Sequence, residues 1–105
     1  METKQQSYSE YPEAISNNAK RGIELNKAVD NKCMTQTGKV RAQQLANKEP
    51  LSLDVIRRMY SFLSRAEVYY NPDDTKACGT IAYLGWGGKA AHNWTKKIVN
   101  EQDKD

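Results

Sequence analysis

The most regular feature of the chain is the spacing of apolar residues between Leu51 and Tyr70. They recur at steps of three and four, which places them on one face of an α-helix. These residues are Ile56, Met59, Tyr60, Leu63, Ala66 and Tyr70. Ser52 is suited to cap the first turn of this helix, and Pro50 ends any helix that precedes it. The stretch therefore predicts a helix, a break and a longer helix at the centre of the fold.

Two helices are predicted before the break. The first follows Pro12 and ends at residues 30–32, and the weak helix formers at residues 16–18 leave its start either at residue 13 or after residue 18. Thr37 is expected to cap the second helix, which runs from Lys39 to about Asn47. Its predicted inward residues are Val40, Ala42, Leu45 and Ala46.

The segment after the central helix begins with a turn at residues 71–75. Residues 77–84 suit either a strand or a short helix, and we predict a helix because a single strand has no partner. Residues 85–88 contain three glycines, which predicts a tight corner with Trp86 filling the core. A last helix is predicted from Lys89 to Asn100.

With 105 residues the chain has room for one hydrophobic core. The predicted fold is therefore a compact single all-α domain of four to five short helices with a helix-break-helix centre. We expect a flexible N-terminal arm at residues 1–11, a helical domain at residues 12–100 and a flexible acidic tail at residues 101–105.

The sequence has no apolar run long enough to span a bilayer and no signal segment at its start, so no membrane partner is predicted. A cytosolic site of synthesis is expected. In that compartment Cys33 and Cys78 are predicted to be reduced, buried thiols, and a disulfide is the alternative in an oxidising compartment.

The net charge of +3 is unevenly distributed along the chain. Residues 1–14 and residues 100–105 each carry −2, which leaves +7 between them. A basic surface of this kind is compatible with nucleic-acid binding, and it is equally typical of a solvated surface without a partner.

The arginines of the central helix lie opposite its apolar face, so we predict a binding face there. The predicted residues are Arg57, Arg58, Arg65, Ser61, Tyr69, Tyr70, Trp86 and Lys89. The alternative is that the arginines pair locally with Asp54 or Glu67 and contribute little.

Catalytic and metal-binding patterns are sparse. His92 is the only histidine, and together with the two cysteines it makes three soft ligands where structural zinc takes four. A Ser–His–Asp or Cys–His arrangement forms only in space, and nothing local marks one. We therefore predict no catalytic residues, no metal site and no cofactor.

Three segments resemble a small domain of tailed-phage and prophage proteins of Bacteroidetes-type hosts. They are RAQQLA at residues 41–46, IRRMYSFLSRA at residues 56–66 and YLGWGG at residues 83–88. The similar domain occurs alone or appended to head-morphogenesis proteins, and the likeness covers about residues 14–99. The resemblance implies phage origin and a compact helical domain, and it brings no catalytic residues.

The helix, break and helix are also similar to a helix-turn-helix, in which the second helix enters the major groove of DNA. Arg57, Arg58 and Arg65 would then face phosphates or bases. The chain departs from that motif at Pro50, where glycine is usual.

We therefore expect a non-enzymatic phage binding module, virion-associated or an interaction protein, in the host cytoplasm or the virion. A phage structural or host protein is the expected partner. The alternative is a DNA-binding protein or a small inhibitor of a host defence system.

Overall fold

The computed structural model describes residues 7–102, and five α-helices in this range form one all-α unit. The predicted fold class is confirmed. The helices are α1 Glu13–Ala28, α2 Gln36–Ala46, α3 Leu53–Ala66, α4 Cys78–Gly85 and α5 Gly88–Gln102, with a short 3₁₀ helix at Glu67–Tyr69 after α3.

The central helix α3 begins where the sequence predicts. Ser52 Oγ accepts a hydrogen bond from the backbone N–H of Val55 at 3.2 Å, which caps the first turn. Ile56, Met59 and Leu63 are fully buried, and α5 packs along this face. The α-helix ends at Ala66, one turn earlier than the apolar spacing suggests, because the chain tightens into the 3₁₀ helix.

Helix α1 starts at the earlier of its two predicted positions, whereas the start of α2 differs from the prediction. Helix α1 begins at Glu13, and of its weak helix formers Asn18 has a tertiary role, because its Nδ2 donates to Gly87 O at 2.9 Å. The cap of α2 is Thr35, whose hydroxyl accepts from Gly38 N, so the predicted cap at Thr37 is wrong.

The inward side of α2 also differs from the prediction. Val40 is 44% exposed, whereas Arg41 is buried together with Ala42 and Leu45. The helical spacing that leads back from Leu45 passes through Arg41, which is not among the predicted inward residues. Contacts with residues of other elements, such as Trp86, determine that Arg41 lies inside the fold.

The corner between α4 and α5 has the predicted form. Residues 78–85 are helical, and Gly87 and Gly88 adopt positive φ of 106° and 67°. A Cβ atom on Gly87 would lie 2.3 Å from Ala91 Cβ, so only glycine fits there. Trp86 is 9% exposed and fills the core beneath the corner.

The N-terminal segment is anchored from Ser7 onward. Two-residue strands β1 Ser7–Tyr8 and β2 Leu51–Ser52 pair antiparallel, with Ser7 opposite Ser52 and Tyr8 opposite Leu51. Tyr11 is buried, and its hydroxyl donates to Glu49 O at 2.8 Å.

These contacts correct the predicted arm, because residues 7–11 belong to the folded unit. The rest of the arm, residues 1–6, lies outside the described residues. At the other end α5 continues to Gln102, so Glu101 is helical rather than part of a tail, and the remaining tail residues are likewise not described.

Cys33 and Cys78 form a disulfide, with their Cα atoms 4.7 Å apart, so the prediction of reduced, buried thiols is wrong. Cys78 is the exposed first residue of α4. The two cysteines meet because α1 and α4 pack backbone to backbone: a Cβ on Gly22 would lie 2.5 Å from Gly85 N. A separation of 45 residues carries no local signal for such a contact.

Candidate binding surface

The outer side of α3 carries a group of exposed polar residues that we call the arginine face: Arg57, Arg58, Ser61 and Arg65. It is exposed because the opposite side of the helix is packed in the core. Arg58 lies 3.7 Å from Asp54, and Arg65 Nη1 donates to Ser61 Oγ at 2.6 Å. Both contacts are solvent-exposed, so Arg58 and Arg65 remain accessible to a partner.

The arginine face continues into two exposed apolar side chains. Val68 and Tyr69, in the 3₁₀ helix after α3, are 79% and 70% exposed. Their backbone is held against α4, since a Cβ on Gly79 would lie only 2.6 Å from Tyr69 Cβ. We call Val68 and Tyr69 the apolar pair.

The structure places the other predicted contact residues at different depths. Tyr70 is half-buried and its ring lies 4.8 Å from that of Tyr83. Lys89 is exposed at the start of α5, and its Nζ is 2.9 Å from Glu67 Oε2. Trp86 is buried, which agrees with its prediction as a core residue and corrects its prediction as a surface contact.

A row of polar side chains joins α3 to α5 beside this surface. His92 Nε2 is 3.2 Å from Ser64 Oγ, and His92 Nδ1 is 3.4 Å from Tyr83 OH and 3.8 Å from Glu67 Oε1. The sequence carries no signal for this row, because its members come from three helices and the 3₁₀ helix.

Burial lowers the pKa of His92 below its ordinary value of 6.5, and Lys89 and Lys96 act in the same direction. The Glu67 carboxylate opposes this shift without reversing it, so the 3.8 Å contact is not that of a fixed ion pair. The imidazole is therefore neutral at pH 7. Burial, followed by the charge of Glu67, also raises the pKa of Tyr83 to about 12.

A hydroxyl, an imidazole and a carboxylate that follow one another in space are the side chains of a nucleophilic site. Ser64 lies inside α3, however, and the N–H groups of Ser64 and Arg65 are used by the helix. They are not available to stabilise an oxyanion, which acyl transfer requires. The row is better suited to holding α3 and α5 in register.

Arg41 is a buried cation that the sequence analysis did not identify as a site residue. It is 7% exposed, and its guanidinium carbon lies 5.6 Å from the centre of the Trp86 ring. Nη1 donates to Gln44 Oε1, whereas Nε is buried without a partner. Burial lowers the pKa of Arg41, and the nearby charge of Arg58 lowers it further.

An open recess of about 160 Å³ lies elsewhere, between α1 and α2. It is lined by Ile23, Asn26, Asn31, Met34, Lys39 and Gln43. Lys39 is its one charged lining residue, and nothing in the recess is arranged for chemistry. Across residues 7–102, no group of three or more His, Cys, Asp or Glu side chains is placed to hold a metal ion. No helix in the same range is both long and apolar enough to cross a bilayer.

Comparison of the chain with models of protein families, with curated proteins and with solved structures finds no match. The likeness to phage proteins therefore remains a prediction from the three sequence segments.

Proposed function

We propose that this chain is a phage-encoded, non-enzymatic binding module that recognises a protein partner through the apolar pair and the adjoining arginine face. The observation that carries the proposal is the exposure of Val68 and Tyr69 next to Arg65. Tyrosine and arginine are enriched among residues that dominate binding energy at protein interfaces. An exposed tyrosine on a backbone fixed against α4 offers such an anchor at little cost in ordering.

The charge of this surface indicates the charge of the partner surface that it binds. Arg58 and Arg65 outnumber the carboxylate of Asp54 on the outer side of α3. A complementary partner surface is acidic around an apolar recess that receives Tyr69. The positive charges accelerate association, and the apolar contact limits dissociation.

The disulfide supports a place in the virion over one in the host cytoplasm. Disulfides persist in oxidising surroundings, including virion surfaces, and are rare in the reducing cytosol. The exposed Cys78 is open to reduction by cytosolic thiols. We therefore place the working site of the protein on the virion.

Quantitative mass spectrometry of purified virions tests this proposal. We expect a fixed copy number per virion and at least a tenfold loss of incorporation for Val68→Ser/Tyr69→Ala. Val40→Ser is the matched control, because Val40 is also an exposed apolar residue but lies on α2. Absence of the protein from virions, or equal incorporation of the double variant and the control, would contradict the proposal.

A second candidate function is DNA binding by α2 and α3, as a DNA-binding protein or as an inhibitor that shields a host site. The observation in its favour is that Arg57, Arg58 and Arg65 share the outer side of the helix that follows the break. A recognition helix presents its reading residues in this way. Salt-dependent binding to duplex DNA distinguishes this function from a protein partner.

A further inference from the structure

Arg41 stands out because it is a buried cation without a neutralising anion. Its interactions are the hydrogen bond to Gln44 and the stacking on Trp86, and no acidic side chain in the described part of the chain pairs with it. A buried charge without a counterion is costly. Its retention inside the fold calls for an anion from outside.

Arg41 is connected to a second arginine, Arg58, through two aromatic rings. The Arg41 guanidinium lies over the ring of Trp86. Trp86 also stacks on Phe62, with the ring centres 4.6 Å apart. Arg58 lies one helical turn before Phe62, on the same strip of α3. Arg58 is close enough for its charge to disfavour the charged form of Arg41. Arg41 and Arg58 are thus both linked to the Trp86–Phe62 stack, Arg41 by lying over Trp86 and Arg58 by its position one turn before Phe62.

The donors of this pair are only partly used. Arg41 Nη1 donates to Gln44 Oε1 and Nε is buried without a partner, so the described part of the chain leaves donors of this guanidinium unused. Arg58 makes one long contact with Asp54, at 3.7 Å. The three charges together leave a surplus of +1, which a single monovalent anion balances.

We propose that Arg41 and Arg58 form a binding site for a carboxylate, supplied by an Asp or Glu side chain of the partner protein. The guanidinium fork matches the two oxygens of a carboxylate, so Arg41 and Arg58 can each donate to one ligand. The source of the carboxylate rests on the proposed protein partner, whereas the site belongs to this chain and can be tested without it.

The depth of Arg41 favours a carboxylate over a backbone phosphate. With 7% of its surface exposed, Arg41 is reached only by a group that protrudes from its own chain. A side-chain carboxylate protrudes on one to three bonds, whereas a nucleic-acid phosphate is flanked by two sugars and cannot approach a buried group as closely.

Titration of the intact, oxidised protein with sodium acetate tests the site. Sodium chloride is exchanged for acetate at constant ionic strength, and the Arg41 Nε–H resonance is followed by NMR, since that proton is buried without a partner. We expect a saturating shift with a dissociation constant on the order of 10 mM, as suits one charge-assisted bidentate pair. Inorganic phosphate is titrated in parallel.

Variants distinguish acetate binding at this site from general attraction of acetate to positive charge. Arg41→Lys keeps the charge but loses the fork, and we expect acetate affinity to fall at least tenfold. It is followed through the Trp86 indole N–H resonance, and Arg58→Gln, on the exposed side of α3, covers the case in which Arg41→Lys does not fold. Arg21→Gln, on the exposed side of α1, is the control and should bind acetate like the parent.

The outcomes are distinct. Saturable acetate binding that depends on Arg41 and Arg58 supports the site, whether or not the chain is found in virions. No saturable shift with acetate overturns it, as does equal binding by the Arg58→Gln and Arg21→Gln variants. Tighter saturation by phosphate than by acetate overturns the assignment to carboxylate. Loss of virion incorporation in the apolar-pair variant bears only on the proposed partner.

Discussion

His92 shows at the scale of one residue how burial can outweigh a nearby charge. Its ring contacts the side chains of Ser64, Tyr83 and Glu67, and Glu67 would favour the charged imidazole. Burial lowers the pKa nevertheless, because the ring loses water on entering the interface between α3 and α5. The neutral ring can accept at one nitrogen and donate at the other.

The lowered pKa of His92 predicts a dependence of stability on pH. As pH falls below about 6.5, the unfolded chain takes up the proton before the folded chain does, so the free energy of unfolding decreases. Above that pH the contribution is fully present. Urea unfolding at pH 5, 6, 7 and 8 should show this decrease, and His92→Gln should flatten it.

The assignment to His92 would be contradicted if the free energy of unfolding of His92→Gln changed with pH between 5 and 7 as steeply as that of the parent protein. The Glu67 carboxyl does not confuse the measurement, because the hydrogen bond from Lys89 and the charge of Lys89 lower its pKa below the ordinary value of 4.5. Its contribution is lost only at more acidic pH.

At the scale of secondary-structure elements, the α4–α5 corner depends on backbone that only glycine adopts easily. Gly87→Ala places a methyl group against Ala91 at positive φ, and we expect a loss of about 1–3 kcal/mol in the free energy of unfolding. Gly38→Ala is the control, since a Cβ there would make ordinary contacts inside α2.

Replacing Gly38 should leave stability unchanged or raise it by about 0.4–1 kcal/mol, because alanine restricts the unfolded chain. Denaturant midpoints of the two variants give the comparison. Equal effects at the two glycines would show that the left-handed backbone of the corner carries no special cost.

The arginine face gives the element-scale prediction that separates the two candidate functions. If α3 binds duplex DNA, log affinity should fall steeply with log salt, and Arg57→Ala/Arg58→Ala/Arg65→Ala should flatten that slope by up to about three units. Fluorescence anisotropy at two salt concentrations measures both slopes. No binding by the parent protein would remove the DNA candidate.

Equal, salt-sensitive binding by the parent and the triple variant would instead move the DNA contact to α5. Exposed lysines lie there at Lys89, Lys96 and Lys97. Lys89 is the least free of the three, since Glu67 pairs with it at 2.9 Å.

At the scale of the whole molecule, the Cys33–Cys78 disulfide joins the α1–α2 connector to the start of α4. Closing a loop of this length restricts the unfolded chain, so Cys33→Ser/Cys78→Ser should lower the free energy of unfolding by about 2–4 kcal/mol. Thermal unfolding with and without dithiothreitol measures the effect. The double variant should not respond to the reductant, and a parent protein that melts alike in both conditions would contradict the prediction.

Three features were not predictable from the sequence. They are the contact between Cys33 and Cys78, the burial of the Arg41 guanidinium and the row of polar side chains around His92. Each depends on residues that are distant along the chain and adjacent only after α1 packs on α4 and α3 packs on α5. Trp86 is an instructive case: its place at the corner was predicted, but its contact with Arg41 needs the positions of α2 and α3 as well.

The sequence by itself determined the local features: the capped start of α3 at Ser52, the apolar stripe through Leu63 and the glycine corner. These depend on residues within a helical turn of one another, so spacing and side-chain chemistry are enough. The tertiary structure alone decided that Arg41 is inside and that Cys33 is bonded to Cys78. Both follow from burial and distance between helices, quantities that exist only when the chain is packed.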